Sequence, residues 1–496
     1  MPTSIFGTLP RQLQRDPASG DDAGPATPWP PALAQRLHAH LIETHISWVL
    51  LTRNDAYKFK KPIRLPFLDY STLDRRKRCC EEEVRLNSRL APSLYLGVSR
   101  ITGTPDSPAI DSDGPVLDYA VHMRRFPSGA LFSERASART LTPHDADALG
   151  TMLARFHEHA PRAGTDTPTD PAATHHRARA ALEGARLELT ESEHAELRRW
   201  LDAGSDALLP LWMARRASGH VRECHGDLHL ANIVEVEGNV CAFDSIEFDR
   251  ALRCIDAMED IAFTLMDFVA RGHAPLGWRC IDAWLQATGD YEGLPVLRYA
   301  LVYRALVRAQ VEHLREDGGD AAGRYAATAL SFARPRTPRL AITHGLPGSG
   351  KTYRSQSWLE HEGAIRIRSD VERKRLFGLG ALQDSKEAGI DLYSSDATQQ
   401  TYARLLDLAR IGLRAGFPVV LDAAFLKEAE RRAAASLARE CDAHFAILDC
   451  KAPDAVLRQR LQARRGDASE ADPQVLDRLR ESAEPLTPAE SRLAIG

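Results

Sequence analysis

No apolar run in this 496-residue chain approaches the roughly 18 residues that a membrane-spanning helix needs. The N-terminus also lacks a charged segment followed by an apolar one, so neither a membrane anchor nor a secretory leader is expected. A large excess of charge of either sign is lacking. Lys and Arg total 64 against 68 Asp and Glu, leaving a formal −4 and no general attraction to nucleic acid or to an anionic membrane. The eight cysteines include no CxxC pair and mostly fall in apolar or helical contexts, which points to buried free thiols rather than disulfides or zinc ligands. Lysine is rare: nine stand against 55 arginines, with none between Lys77 and Lys351. A cytoplasmic protein of about three packing units, at roughly 150 residues each, is the expectation.

What is present is ordered punctuation. A stretch rich in Pro, Gly, Ala and Asp marks residues 1–31 as a disordered tail. A helix is expected from Ala32 to Glu43. Strands follow at His45–Thr52 and Ala56–Ile63 around an Arg53-Asn54-Asp55 turn, then a helix at Ser71–Leu90 and strands at Leu96–Ile101 and Leu117–Phe126. Residues from about 140 to 330 read as helical apart from a loop-and-strand region at His220–Phe248 and a glycine-containing break at Asp320–Arg324. Two prolines in Arg334-Pro335-Arg336-Thr337-Pro338 make that segment the interdomain joint. Strands at Leu340–His344, Ala364–Arg368, Phe417–Asp422 and His444–Cys450 then alternate with helices, the pattern of a parallel sheet with crossover helices.

Gly345-Leu346-Pro347-Gly348-Ser349-Gly350-Lys351-Thr352 follows the first of these strands and opens a helix. Glycines there let backbone N–H groups close on a triphosphate, Lys351 reaches the β/γ-phosphates, Thr352 ligates Mg²⁺, and the helix N-terminus adds its positive dipole end. Downstream, Asp370 sits where the Ala364–Arg368 strand passes into a helix, with Arg373 and Lys374 beside it, and Asp422 ends the Phe417–Asp422 strand. Both carboxylates therefore fall at the carboxyl edge of the sheet, where such folds place substrates; Asp422 suits Mg²⁺ through water, and Asp370 has a helix N-cap as its alternative role.

A second set of such residues lies earlier, in His225-Gly226-Asp227-Leu228-His229-Leu230-Ala231-Asn232-Ile233, with Asp244 eleven residues after Ile233. An Asp and an Asn five apart on one tight loop can face opposite sides of a reaction, the Asp taking a hydroxyl proton and the Asn oxygen holding Mg²⁺; an Asp ending the next strand completes the metal site. Zinc on Cys224, His225 and His229 is the competing reading and lacks a fourth ligand at a usual spacing. Three lysines, Lys58, Lys60 and Lys61, occupy one strand, the first two on one face. A partner carboxylate is expected from Glu81-Glu82-Glu83. Glu83 is preferred because Leu86 and Leu90 follow on the adjoining buried face, although three successive glutamates also suit a solvated turn.

The nine-residue run resembles the signature of the aminoglycoside phosphotransferase and choline kinase-like branch of the protein-kinase fold. That resemblance implies Asp227 as catalytic base, Asn232 and Asp244 as Mg²⁺ ligands, Asp260 as the structural aspartate, and Lys58 (Lys60 in reserve) as the lysine gripping the α/β-phosphates. It also makes Met123–Phe126 the connection between lobes. No GxGxxG precedes the lysine, a departure from the kinase pattern. The C-terminal stretch looks like the P-loop kinase branch that includes gluconate kinases and zeta-toxin-like proteins. By that resemblance Asp370 is the substrate base, and Arg460 and Arg464, ahead of Arg458 and Arg465, belong to a phosphate-neutralising lid. Together with Glu43-Thr44-His45-Ile46-Ser47-Trp48-Val49, Phe67-Leu68-Asp69-Tyr70-Ser71-Thr72-Leu73 and Leu90-Ala91-Pro92, the order is similar to that of bifunctional aminoglycoside phosphotransferase-like/ATP-binding proteins.

The implied architecture is an α+β protein-kinase-like bilobal domain, with its N-lobe at 32–126 and its helical C-lobe at 127–333, a linker at 334–338, and an α/β P-loop domain at 339–496. The implied function is transfer of the ATP γ-phosphoryl group, with Mg²⁺, to small-molecule hydroxyls at two sites. A nucleotide-gated regulator with a P-loop switch and a ligand-binding, catalytically weak kinase-like domain is the alternative.

Overall fold

Two-residue periodicity builds the first sheet. In the strand Asp55–Lys60, Ala56, Lys58 and Lys60 fall on one face, Tyr57 and Phe59 on the other. The computed structural model describes residues 29–495 apart from 66–67, 165–171, 316–319, 386–389, 391, 393 and 464–467. Six antiparallel strands are ordered His40–Glu43, Ser47–Leu51, Asp55–Lys60, Val116–Arg124, Tyr95–Thr104, Ser107–Ile110. Phe59 packs with Trp29, Leu33, Leu50, Ile101 and Ala120 on one face. Ala56, Val121 and Met123 meet Cys80, Leu94 and Tyr95 on the other.

The helix expected from Ala32 to Glu43 is corrected by the structure. It spans Trp29–Arg36, the chain turns through a left-handed His38 at φ 49°, and His40–Glu43 becomes an edge strand. Pairing from His40↔Leu51 to Glu43↔Trp48 overrides the helical pattern of this segment. Of the tail expected over 1–31, residues 1–28 lie outside the described residues, while Trp29, Pro30 and Pro31 open this helix with Trp29 buried. The strand Ser107–Ile110, unanticipated because it contains Pro108, lies at the sheet edge, where a missing N–H is tolerated.

Helix Leu73–Asn87 starts at Thr72, whose Oγ1 accepts from Arg75 N at 3.3 Å. Its buried stripe, Arg76, Cys80, Glu83 and Asn87, has the three-to-four spacing that turns one face to the sheet. Arg76 Nε donates to Asp118 Oδ1 at 2.9 Å and fixes the helix across the strands. The helical part that follows includes Pro143–His159, Glu191–Ala217, Ala257–Ala270, Leu294–His313 and Ala321–Ala333. The last of these runs through Gly323, so the break expected at Asp320–Arg324 is instead a helix start.

By packing, the chain forms two compact units. The first comprises residues up to Asp145, Arg155–Gly272 and Tyr299–Ala333; the second comprises Ala146–Ala154, His273–Arg298 and Arg334–Gly496. In the second, five parallel strands are ordered Ile365–Arg368, Val419–Asp422, Arg339–His344, His444–Asp449, Ala494–Ile495. Leu340, Ala341, Ile342, Val419, Val420 and Leu421 are fully buried, as strands covered on both faces require. Helix Ala274–Thr288 packs within this unit. Trp278 fills the space beside Gly363, where a Cβ would lie 2.7 Å from its Nε1, and Arg279 pairs with Asp147 and Glu360 at 2.6 and 3.0 Å. All eight cysteines are free thiols. Among the described residues, no helix is long and apolar enough to cross a membrane.

Candidate active sites

The lysine strand and the capped helix meet first. Lys58 Nζ donates to Glu83 Oε1 at 3.0 Å and to Asp244. Lys60 donates to Glu83 Oε2 and to Glu247, which also accepts from the Tyr70 hydroxyl. One glutamate thus bridges two lysines, one partly exposed at 12% of its side chain and one sealed at 0%. Burial by itself would lower both lysine pKa values. Asp244 and Glu83 outweigh it and hold Lys58 up at about 12, and Glu247 and Glu83 hold Lys60 well above the usual range. Lys61 points the other way, to Glu43 at 2.6 Å.

A tight loop carries the next set. Gly226 has φ 87°, and a Cβ there would lie 2.8 Å from the Leu252 carbonyl, so the sharp turn before Asp227 requires glycine. Asp260 accepts from the backbone N–H groups of His225 and Gly226 at 3.0 and 2.8 Å and lies 3.0 Å from His157 Nε2. Asp267 accepts from Leu230 N at 2.8 Å. These two aspartates of helix Ala257–Ala270 hold both ends of the loop.

Asn232 Nδ2 donates to Asp227 O at 3.0 Å and Asp227 Oδ2 at 3.1 Å. Its Oδ1 is buried and lacks a hydrogen-bond partner among the described residues. Asp244 takes a left-handed backbone at φ 65°, with its N–H on Tyr95 Oη at 3.1 Å. A non-glycine residue held there is strained, and such strain gathers at functional positions. The orphaned Asn232 oxygen and the Asp244 carboxylate form an all-oxygen donor set that fits Mg²⁺. Burial is the largest influence on the Asp227 pKa and pushes it up, but His229, 3.5 Å away, together with Arg308 and His225 outweighs it, leaving the carboxyl below its usual range and ionised at neutral pH.

The zinc alternative does not assemble. His225 Nε2 bonds the Phe243 carbonyl at 2.9 Å, and the His229 ring packs edge-on to Phe263. Cys224 lies instead with His157 and Asp260, and burial raises its thiol pKa well above the usual value. The Asp260 carboxylate is already occupied by two backbone N–H groups and His157.

In the second unit, backbone geometry again selects glycine. At Gly345 (φ 145°) a Cβ would lie 2.3 Å from Cys450 O, at Gly348 (φ 83°) 2.9 Å from Leu457 O, and Gly350 is left-handed at φ 95°. Lys351 Nζ donates to Gly345 O and Leu346 O, both at 2.9 Å, folding back over the loop. The loop forms one wall of a cleft of about 1640 Å³, which Pro347, Ser349, Thr352, Asp370, Asp422 and Arg460 also line. Asp422 ends its strand and accepts from Ser355 Oγ at 3.1 Å. The hydroxyl of Thr352 and this carboxylate are likewise an oxygen set suited to Mg²⁺.

Asp370 lies in the first turn of Ser369–Leu376, whose N-cap is Arg368, so the capping alternative for Asp370 is not realised. Lys374 does not accompany it; its ammonium is buried on Ala381 O, Gln383 O and Glu470. Arg460 Nη1 donates to Gly348 O at 2.9 Å, directly over the phosphate loop, whereas Arg458 is turned to Asp454 and Asp477. Arg464 and Arg465 lie outside the described residues.

Several residues of these sites escaped the sequence reading. Glu247 had a usable signal, since it follows Asp244 by three. Asp267 lies two turns after Asp260, on the same face of helix Ala257–Ala270. Tyr402, Glu430 and Arg478 line the second cleft from three separate helices with no motif of their own.

Fold and sites together define a kinase-class enzyme: a protein-kinase-like domain followed by a P-loop domain. Residues 340–486 match the model of an AAA domain family, AAA_33. The uncharacterized protein Rv2004c of Mycobacterium tuberculosis is 31% identical over 449 residues, 87% of this chain and 88% of the relative. A sugar kinase structure from Janibacter is similar over 32% of this chain and 83% of its own, at 20% identity and a TM-score of 0.25. An ethanolamine kinase structure from Plasmodium vivax is similar over 61% of this chain and 83% of its own, at 12% identity and a TM-score of 0.37. The chain belongs to the same family as the mycobacterial protein, and its C-terminal segment carries the AAA_33 domain.

Proposed function

We propose that the protein is a cytoplasmic, ATP- and Mg²⁺-dependent phosphotransferase with two nucleotide sites, each passing the γ-phosphoryl group to a small-molecule hydroxyl. One observation carries this reading. Each unit has its own lysine, its own carboxylate suited to a hydroxyl proton and its own oxygen donors suited to Mg²⁺: Lys58, Asp227, Asn232 and Asp244 in one, Lys351, Asp370, Thr352 and Asp422 in the other. Mg²⁺ at such sites neutralises charge on the β- and γ-phosphates. Within the chain, Asp227 and Asp370 orient the acceptor hydroxyl and take its proton, Glu83 holds Lys58 in place, and Arg460 adds positive charge at the phosphate loop.

The test is phosphoryl transfer with a pooled metabolite extract, read by mass spectrometry for wild type, Asp227→Ala and Lys351→Ala. Distinct phosphorylated products lost separately in the two variants support two kinases. Burial favours a second reading for the first unit, in which a ligand is bound without turnover: Asp227, His229 and Asn232 are at most 1% exposed. A product lost in Asp227→Ala counts against that second reading.

A further inference from the structure

A closed circuit of polar side chains links the P-loop metal residues to a helix that precedes the proline joint. Asp282 and Gln286 lie one turn apart on Ala274–Thr288. Arg366 Nη2 donates to Asp282 Oδ2 at 2.5 Å, and Nε to Oδ1 at 3.3 Å, with both side chains buried. The remaining nitrogen, Nη1, donates to the Thr352 carbonyl at 3.3 Å and to Ser355 Oγ at 3.5 Å. Ser355 Oγ donates to Asp422 Oδ2 at 3.1 Å. Arg368, on the same strand face as Arg366, places Nε 3.7 Å from Asp422 Oδ2 and donates from Nη1 to Gln286 Oε1 at 3.2 Å. Gln286 Nε2 closes the circuit on Asp282 Oδ2 at 2.6 Å.

Thr352 and Asp422 come from different elements, a helix start and a strand end. Pairing of the two strands that lead to them sets their approximate separation, and the side chains that bridge them directly are Ser355, Arg366 and Arg368. Arg366 spends two nitrogens on Asp282 and one on the phosphate-loop helix, a division that the rigid guanidinium fork permits and a lysine does not. A buried Asp–Arg pair carries a large desolvation cost and is a weak route to stability alone. Here it fixes an arginine whose third donor is used at the site.

We propose that Asp282, assisted by Gln286, is a positioning residue for the P-loop site. It acts through Arg366 and Arg368 to hold Thr352 and Asp422 at the spacing that binds metal-nucleotide. This rests on the reading of Thr352 and Asp422 as Mg²⁺-holding residues. It also places part of the device outside the 340–486 segment that matches the AAA domain family.

The test is calorimetric titration of the full chain carrying Lys58→Ala, with MgATP and with ATP in EDTA, alongside the thermal unfolding midpoint. Asp282→Asn weakens MgATP binding about tenfold, the scale of outer partners of metal ligands, and leaves binding of ATP in EDTA unchanged. Gln286→Ala shifts MgATP binding in the same direction and keeps the test open if Asp282→Asn does not fold. A purely structural pair lowers the unfolding midpoint and weakens both titrations equally; that result, or unchanged MgATP affinity in both variants, overturns the proposal. If adding Lys351→Ala leaves the titrated affinity intact, the P-loop reading itself fails and takes the proposal with it.

Discussion

The ammonium of Lys60 donates to the carboxylate of Glu247, 187 residues further along the chain, and both groups are buried. The same ammonium holds one oxygen of Glu83 while Lys58 holds the other. Glu83 therefore keeps a cationic partner if Lys58 turns to a phosphate, so the exchange leaves no buried charge unpaired.

Removing Lys60 leaves the buried Glu247 carboxylate without its cation, while Glu83 keeps Lys58. Lys60→Met is expected to cost about 3–5 kcal/mol, the usual result of breaking a buried pair from one side. Lys60→Met/Glu247→Met is expected to recover part of that loss. Urea unfolding measures both; no recovery in the double variant shows that the two charges are uncoupled.

Asp267 links stability to acid. Burial opposes its ionisation, but Arg271 and His229 overcome this and lower its pKa from 3.8 to about 2. Its folded value is depressed, so its contribution is present above pH 3.8 and is lost as pH falls towards 2. The contribution at neutral pH is about 2 kcal/mol. Asp267→Asn should flatten the loss of stability over that window, as followed by denaturant midpoints at stepped pH.

The loop before Asp227 tests backbone geometry. Gly226→Ala combines φ 87° with a Cβ 2.8 Å from Leu252 O, whereas Gly238→Ala meets only φ 77° and open space. Strain of the left-handed backbone accounts for about 1–2 kcal/mol at either position. Unfolding curves should show Gly226→Ala as clearly the more costly, because the clash is added to the strain.

The lid arginines separate by partner. Arg460→Ala removes the guanidinium over Gly348 and is expected to lower turnover at the P-loop site by about 10²–10³. Arg458→Ala removes only exposed pairs with Asp454 and Asp477 and should change turnover little. Steady-state rates on whichever product depends on Lys351 decide between them.

Legibility followed locality. The strand carrying Lys58 and Lys60 and the parallel strands of the second unit were visible because apolar periodicity is a property of neighbouring residues. The edge strand His40–Glu43 was hidden because its state depends on a partner strand, and Pro108 masked another edge for the same reason. Local pattern singles out Lys58 and Glu83, and the structure joins them; the sharing of Glu83 with Lys60 has no local signature.

The sequence by itself determined the phosphate loop, since Gly345 to Thr352 is contiguous and its pattern is complete among neighbouring residues. It likewise marked the loop from Asp227 to Asn232 and Asp244, which lies two residues past the strand Asn239–Ala242. Only the tertiary structure decided which charges face each other across the chain: Lys60 with Glu247, Leu230 N–H with Asp267, and Arg366 with Asp282. The reason is physical. A buried charge needs a partner at hydrogen-bond distance, but any residue that the fold brings within that distance will serve, however far away it lies in sequence.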